Sequence, residues 1–310
     1  MKIYKNFNLK SLNSYGLGGN ILYFIEVDNQ NDLLKSLSFI RNKKLPYYII
    51  GGGSNIIIND NNFKGILLKI SANNIRRISN SEIYVECGII LDELISKTIK
   101  FGFKGIEKMS GIPGTLGGAI RGNASAYGHE IKNVIKSVTG FTFEGKKFEL
   151  KINECEFNYR DSFFKRNKNY IIFSSILQYN HSNYTELQKI RNDILNKRNM
   201  NIPLNFPSAG CVFQSPIINN QDIIELIPEK YLWQKNDSYY KIPAGFLLES
   251  CDLKGKIQGG FQISHQHSLF FLNKGNGRSI DLIKLINIAK KEVFKKFGIQ
   301  LELEVELIGF

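Results

Sequence analysis

The chain is poor in the residues that mark several large functional classes. Its four cysteines, Cys87, Cys155, Cys211 and Cys251, are widely spaced without a CxxC pair, which argues against a zinc ribbon or a disulfide framework. Histidines are equally few. His265 and His267 lie two apart in ISHQHSLFF, on what reads as one strand face, but no third ligand accompanies them and no metal is expected. No apolar run reaches the ~20 residues a membrane helix requires. The N-terminal MKIYKNFNLKSLNSYGLGGN lacks the continuous apolar core of a signal peptide. These absences predict a cytoplasmic protein without a membrane partner. Internal repeats and low-complexity linkers are also missing, so domains must be read from changes of pattern.

What is present is ordinary for a globular protein: 310 residues, 43% hydrophobic and 22% charged, enough for one large or two to three smaller domains. The net charge of +13 invites a nucleic-acid reading. The lysines are scattered among Asn and Ile rather than gathered into a basic tail, and no zinc-finger or RNA-recognition pattern accompanies them. No nucleic-acid partner is therefore expected; the excess charge gives a general attraction for anionic ligands.

Residues 21–70 read as strand, helix, strand, turn, strand. Ile21 to Val27 is rich in β formers, and Leu33, Leu34, Leu37 and Ile40 recur at helical spacing within Asp32 to Arg41. Tyr47 to Ile50 and Ile56 to Ile58 read as short strands around a glycine turn. From about 71 to 180, strands are predicted at Ile83–Cys87 and Val138–Glu144, with a helix at Leu91–Phe101. TELQKIRNDILNKR, 185–198, predicts a helix leading into a third region, and a further helix spans Ser279–Phe297. The chain closes on LELEVEL, read as an alternating strand. The class is α+β, without a regular βαβ series.

Two glycine-rich stretches carry the first chemical signal. In Gly51-Gly52-Gly53-Ser54-Asn55, three glycines permit positive φ and close backbone approach, so successive N–H groups can converge on an anion. The dinucleotide fingerprint fails, because Ile56 occupies its third glycine position and a strand pattern follows in place of a helix. A flexible hairpin turn is the plain alternative. In SGIPGTLGGAIRGNASAYG, 110–128, Pro113-Gly114-Thr115 reads as the entrance to a short helix, and Gly117, Gly118 and Ala119 let that helix approach a ligand or another backbone. Tight helix packing is the alternative here. Two such loops fit a pyrophosphate held from both sides.

Together with NYRDSFF at 158–164, PSAGCVFQSP at 207–216, AGFLLESCDLKGKIQGGFQIS at 244–264 and the terminal LEVELIG, these loops resemble the UDP-N-acetylenolpyruvoylglucosamine reductase (MurB) family. The segments occur in family order from NSYGLGG at 13–19 to Gly309. The resemblance implies an FAD-binding domain of the vanillyl-alcohol-oxidase/MurB type in two subdomains, 1–70 with 301–310 and 71–190. A C-terminal α+β substrate-binding domain at 191–300 completes it. It also implies a two-stage reaction: NADPH reduces bound FAD, and hydride then passes to UDP-N-acetylglucosamine enolpyruvate, giving UDP-N-acetylmuramate for peptidoglycan synthesis. The chain is expected to act as a monomer. Gly51, Gly52, Gly53, Ser54 and Asn55, with Ser110, Ile112, Pro113, Gly114, Thr115 and Gly118, form the implied cofactor set.

Such a reaction needs a cation near the substrate carboxylate, a proton donor and a further polarising group. By resemblance these are Arg160, Cys211 and Glu304. Read without the family, Arg160 would pair with the adjacent Asp161. Glu302, Glu304 and Glu306 would form a solvated strand face, and Cys211 would be a small packed hydrophobe. The family's usual residue at 211 is serine. A thiol, with a reference pKa of ~8.5, donates a proton more readily than an alcohol but forms some thiolate near neutral pH and is open to oxidation. Tyr159, Arg198, Gln214 and His267 are implied substrate contacts, His267 through local hydrogen bonding.

About fifty residues separate Arg160 from Cys211, which resembles the shorter family type without an inserted tyrosine loop. KRNMNIP at 197–203 has Asn201 and Ile202 where relatives carry Lys-Gln, and Ser215 stands where Arg or Asn is common. These departures weaken the expected contacts to the substrate diphosphate. Two rivals stay open: a flavin oxidase sharing the FAD fold and, motivated by Cys211, Asn201 and Ser215, a flavin-binding relative without turnover.

Overall fold

The Gln30–Lys43 helix begins where Asn29 caps it, its side-chain oxygen accepting the Asp32 N–H at 2.9 Å. Leu33, Leu37 and Ile40 share the buried face of this helix. It connects strands of a parallel set, in which Phe63–Ile70 pairs with Asn20–Val27 on one side and Tyr47–Ile50 on the other. Lys2–Asn8 forms the edge of this four-stranded sheet. A second sheet is antiparallel throughout, in the order Lys147–Lys151, Ile135–Thr142, Tyr170–Gln178, Glu82–Glu86, Ile75–Arg77.

This computed structural model describes residues 1–236 and 239–310 and divides into two compact units. The first comprises 1–7, 20–53 and 63–200, and the second 8–19, 54–62 and 201–310. Within the first unit there are two apolar cores. One packs the Gln30–Lys43 helix under the parallel sheet through Leu33, Leu37, Ile66 and Leu68. The other gathers Leu94, Ile95, Leu116, Ile120, Phe164 and Leu187.

The second unit is built round the Ser279–Phe297 helix, whose Leu282, Leu285, Ala289 and Val293 are fully buried. Two three-stranded antiparallel sheets belong to it. Glu306–Ile308 pairs in parallel with Ile56–Ile58. No helix among the described residues is long and apolar enough to cross a membrane.

The predicted helices at 32–41, 91–101, 185–198 and 279–297 are all found within a few residues of their expected ends. The terminal strand requires correction. Only Glu306–Ile308 is strand; residues 304 and 305 form a bend, and Leu303 makes an isolated bridge to Phe213. The bend breaks the alternation on which a common carboxylate face depended, and Leu307, expected to point inward, is 40% exposed.

Candidate active site

In the first unit the two glycine loops meet backbone to backbone. A Cβ added at Gly52 would lie 2.7 Å from the Gly114 Cα, and one at Gly51 would lie 2.2 Å from Thr115 Oγ1. Only glycine permits this approach. Gly53 and Gly114 hold φ of 66° and 110°, in the region disfavoured for other residues. Thr115 caps the Leu116–Arg121 helix, its hydroxyl accepting the Gly118 N–H at 3.4 Å. Pro113 is exposed on the loop and Gly118 on the helix, Ile112 is half-buried, and the Ser110 side chain is wholly buried.

The same short helix leads to Arg160. At six residues it spans about 9 Å, and at its far end Arg121 O accepts the Ser162 hydroxyl at 2.7 Å. Asn123 Nδ2 donates at 2.9 Å to both Glu130 Oε2 and the Asn158 carbonyl, tying GNASAYG to NYRDS. Arg160 itself has φ of 52°, a left-handed conformation that costs a non-glycine residue about 1–3 kcal/mol. It directs Nη1 onto Ser125 Oγ at 2.8 Å and lays the guanidinium against the Tyr159 ring, 5.8 Å from its centroid. Asp161, the plain partner for Arg160 in sequence, pairs with Arg166.

Arg198 lies in this unit too, packed on the second glycine loop: a Cβ at Gly111 would come within 2.9 Å of its Nε. Asp92 is the carboxylate there. Burial pushes its pKa up, but hydrogen bonds from Arg191 and the Gly111 N–H, with the charges of Arg191 and Arg198, outweigh this and leave it below the usual carboxylate range.

In the second unit, residues 211–214 run between two other segments. Cys211 bridges Phe270, and the Val212 N–H donates to the Leu269 carbonyl at 3.0 Å. On the opposite side the Gln214 N–H donates to the Glu302 carbonyl at 3.0 Å, and the Glu304 N–H donates to the Val212 carbonyl at 2.8 Å. Cys211 and Glu304 thus stand on adjoining, mutually hydrogen-bonded stretches. Gln214 turns its amide to the Leu303 carbonyl at 3.2 Å. Asn55 fixes the bend from outside: its Nδ2 donates to the Glu304 carbonyl at 2.9 Å, and its own carbonyl accepts the Glu306 N–H at 3.0 Å. Ser54 is half-buried beside it in the chain.

His267 starts the turn into Phe270, the bridge partner of Cys211, and its ring packs edge-on against Phe270 at 4.9 Å. Its Nδ1 is buried without a hydrogen-bond partner, and burial lowers its pKa, opposed by Glu249. His265 and His267 do not share a strand face. They fall in the bend after Ile263, where His265 is exposed and packs over Gly255. Among the described residues no group of three or more potential ligands is placed to hold a metal ion.

Two of the other three thiols differ from Cys211; Cys251 is partly buried as it is. Cys87 and Cys155 are buried, and burial pushes both up, Cys155 to about 12. Cys211 is only partly buried.

Sequence reasoning missed two residues of this unit. Tyr15 is wholly buried; its hydroxyl meets no hydrogen-bond geometry, and the Ala209 N–H and Cys211 are the polar groups facing it. Asn273 holds the neighbouring loops: its Nδ2 donates to the Tyr15 carbonyl at 3.0 Å, and its N–H donates to the Pro207 carbonyl at 2.9 Å. The segment NSYGLGG was a signal for the first; a lone Asn in a strand gave none for the second.

Comparison with known proteins accords with this geometry. Residues 21–151 match an FAD binding domain, and residues 202–308 match the C-terminal domain of UDP-N-acetylenolpyruvoylglucosamine reductase. A UDP-N-acetylenolpyruvoylglucosamine reductase of Clostridioides difficile is 35% identical, the alignment covering 96% of this chain and 90% of the relative. The chain belongs to the UDP-N-acetylenolpyruvoylglucosamine reductase family. A family member from Carboxydothermus hydrogenoformans is 32% identical over 99% of this chain and 94% of its own length. The solved reductase of Thermus caldophilus shares the fold, with a TM-score of 0.78 at 24% identity over 99% of both chains.

Proposed function

We propose that this chain reduces UDP-N-acetylglucosamine enolpyruvate to UDP-N-acetylmuramate with NADPH, through bound FAD, as a step of peptidoglycan precursor synthesis. The observation that carries the reading is the meeting of Gly51 and Gly52 with Gly114 and Thr115. The close approach sets two glycine-rich backbones side by side, a cradle suited to a pyrophosphate lying along them, and FAD fits it. Residues 51–55 hold it from one side, and Ser110, Ile112, Pro113, Gly114, Thr115 and Gly118 from the other, Ser110 through its backbone because its side chain is buried. The chemistry supplied by bound FAD is hydride transfer, inward from NADPH and outward to the enol-ether carbon.

The chain's own residues must then orient the substrate and deliver one proton. Arg160, held against Ser125 and Tyr159, offers a fixed cation to the enolpyruvyl carboxylate, into which charge builds as hydride arrives. Cys211 gives its thiol proton to the neighbouring carbon, so that hydride and proton together saturate the double bond. Glu304, on the stretch bonded to Val212, acts in its protonated form to polarise the intermediate together with Arg160. Tyr159, Arg198, Gln214 and His267 complete the substrate contacts.

Within the first unit, the core under the parallel sheet supports a subdomain at 1–70 and the other core one at 71–190, the first core also taking in Phe141, Ile171 and Phe173 from the second subdomain. Residues 191–300 supply the substrate-binding domain, and the pairing of Glu306–Ile308 with Ile56–Ile58 supports a return of 301–310 to the N-terminal part. The enzyme works as a cytoplasmic monomer, without nucleic acid or membrane.

Separating the two half-reactions tests this. Anaerobic NADPH should bleach the flavin of wild type and Cys211→Ala alike. The enolpyruvyl substrate should restore the colour of wild type and Cys211→Ser, but at least ~100-fold more slowly in Cys211→Ala. Equal reoxidation of Cys211→Ala would remove the thiol from the mechanism. Wild-type flavin restored by oxygen but never by the UDP-sugar would point to an oxidase.

A further inference from the structure

Beside the second glycine loop lies a polar cluster that the proposed chemistry does not use. Arg191, on the Tyr184–Asn201 helix, grips Asp92 with both arms of its guanidinium: Nη1 to Oδ1 at 2.9 Å and Nη2 to Oδ2 at 2.6 Å. The same Nη1 donates to Ser110 Oγ at 3.1 Å, and Asp92 Oδ1 also accepts the Gly111 N–H at 2.8 Å. Ser110 in turn donates to the Glu107 carbonyl at 2.6 Å. These contacts close a ring through Arg191, Asp92, Gly111 and Ser110. The Arg191 side chain is only 13% exposed, so solvent competes weakly for its donors.

The ring sits immediately before the segment that meets Gly51 and Gly52. Gly111 is held at φ of 76°, and the Tyr184–Asn201 helix covers it closely, a Cβ there lying 3.0 Å from Leu195. Downstream the loop is stitched to the start of the Leu91–Lys100 helix. The Leu91 N–H donates to the Gly114 carbonyl, and the Leu116 N–H to the Ile89 carbonyl, both at 3.0 Å. Backbone hydrogen bonds therefore fix residues 114–116. The turn at 110–111 has two longer ones, Ser110 N–H to the Glu107 carbonyl at 3.3 Å and Ile112 N–H to the Met109 carbonyl at 3.2 Å. The side-chain ring is what ties that turn to the neighbouring helices. A Lys in place of Arg191 would keep the charge and lose the fork that spans Asp92 and Ser110 together.

We infer that Asp92 and Arg191 are positioning residues that lock the 110–115 loop in its FAD-holding form, making cofactor retention depend on a contact between two helices outside the cradle. This rests on the FAD reading above. Neither residue belongs to the proposed cofactor set or to the proposed catalytic set of Arg160, Cys211 and Glu304. The lock acts by lowering the number of conformations the loop visits, so its loss should appear as faster cofactor escape.

The experiment compares wild type with Asp92→Asn, Arg191→Met, Arg191→Lys and the Asp92→Asn/Arg191→Met double variant. Glu82→Gln, which breaks the Lys136–Glu82 pair on the second sheet, is the control. Two quantities are read in the full chain: the FAD dissociation rate from the holoprotein by flavin fluorescence, and hydrogen exchange of the 110–115 amides. Loss of a charge-assisted contact should speed FAD release about tenfold in either single variant, and exchange at 110–115 should rise with it. The double variant should be no faster than the worse single, Arg191→Lys should fall between, and Glu82→Gln should match wild type.

Release from Arg191→Met within twofold of wild type, or an additive double variant, would overturn the inference. If Arg191→Met does not fold, Arg191→Lys carries the same comparison, and its identity with wild type in both readouts would sink the lock. A wild type that holds no FAD would overturn the cofactor reading alone. Exchange at 110–115 would still decide whether the ring orders the loop.

Discussion

In the first unit the glycine loops are set by volume: backbone lies on backbone, and the space between Gly52 and Gly114 admits no methyl group. In the second unit Cys211 and Glu304 are set by hydrogen bonds along the main chain, on stretches joined through Val212 and braced by Asn55. The first arrangement should fail when an atom is added anywhere along it, whatever its chemistry. The second should tolerate exchange of side-chain atoms as long as the chemistry is kept, because nothing in the backbone pairing depends on the group at 211. On the proposed roles, cofactor holding and proton delivery therefore have different mutational signatures.

Gly52→Ala attacks the volume-set region and should have the largest effect. The backbone at Gly52 is not in the left-handed region, so the substitution tests crowding alone. Forcing the loops apart should cost about 1–3 kcal/mol, and the purified protein should be colourless. Gly122→Ala is the matched comparison. Its Cβ would meet its nearest neighbour at 3.6 Å, an ordinary contact, and the variant should stay yellow and as heat-stable as wild type. A yellow, stable Gly52→Ala protein would mean that the loops give way easily and that the contrast between the units is wrong.

Asn55→Ala probes the hydrogen-bonded region with a smaller expected effect. It removes the amide that holds the Glu304 carbonyl, a bond worth about 1 kcal/mol. Because the Asn55 side chain is given to Glu304, its share in the proposed cofactor cradle is through the backbone, and reoxidation by the UDP-sugar should slow about fivefold with NADPH bleaching and FAD content unchanged. Loss of FAD with normal reoxidation would assign the Asn55 side chain, and not its backbone alone, to the cofactor loop, moving the border between the two regions.

How much of this was legible in the sequence follows the same division. GGGSN and PGT announce themselves because glycine and proline act through local backbone geometry, which neighbours in the chain decide. The helices were legible because their apolar residues repeat with the helical period. The terminal strand was misread because LELEVEL alternates as a strand would, while the bend at 304–305 is imposed by Asn55 and Val212 from distant parts of the chain. Asp92 and Arg191 stand 99 residues apart, each among ordinary charged neighbours, and only the fold selects them as partners. Cys211 was visible through its motif, yet nothing local showed that Tyr15 would face it.

Tyr15 gives the smallest effect and the finest test of the second region. Its hydroxyl is buried without a hydrogen bond, and burial holds the phenol's pKa well above the ordinary range, so it stays neutral at any physiological pH. A buried hydroxyl that finds no partner is a cost to folding. The ring earns its place by packing, edge-on to Phe261 at 5.6 Å. Tyr15→Phe keeps the ring and should be neutral or up to about 1 kcal/mol more stable, with melting temperature unchanged or raised by about 2 °C. Both half-reactions should proceed at wild-type rates. A Tyr15→Phe protein of undiminished stability whose reoxidation by the UDP-sugar slows would show that the phenol serves the Cys211 thiol, and that buried chemistry as well as main-chain pairing sets the second region.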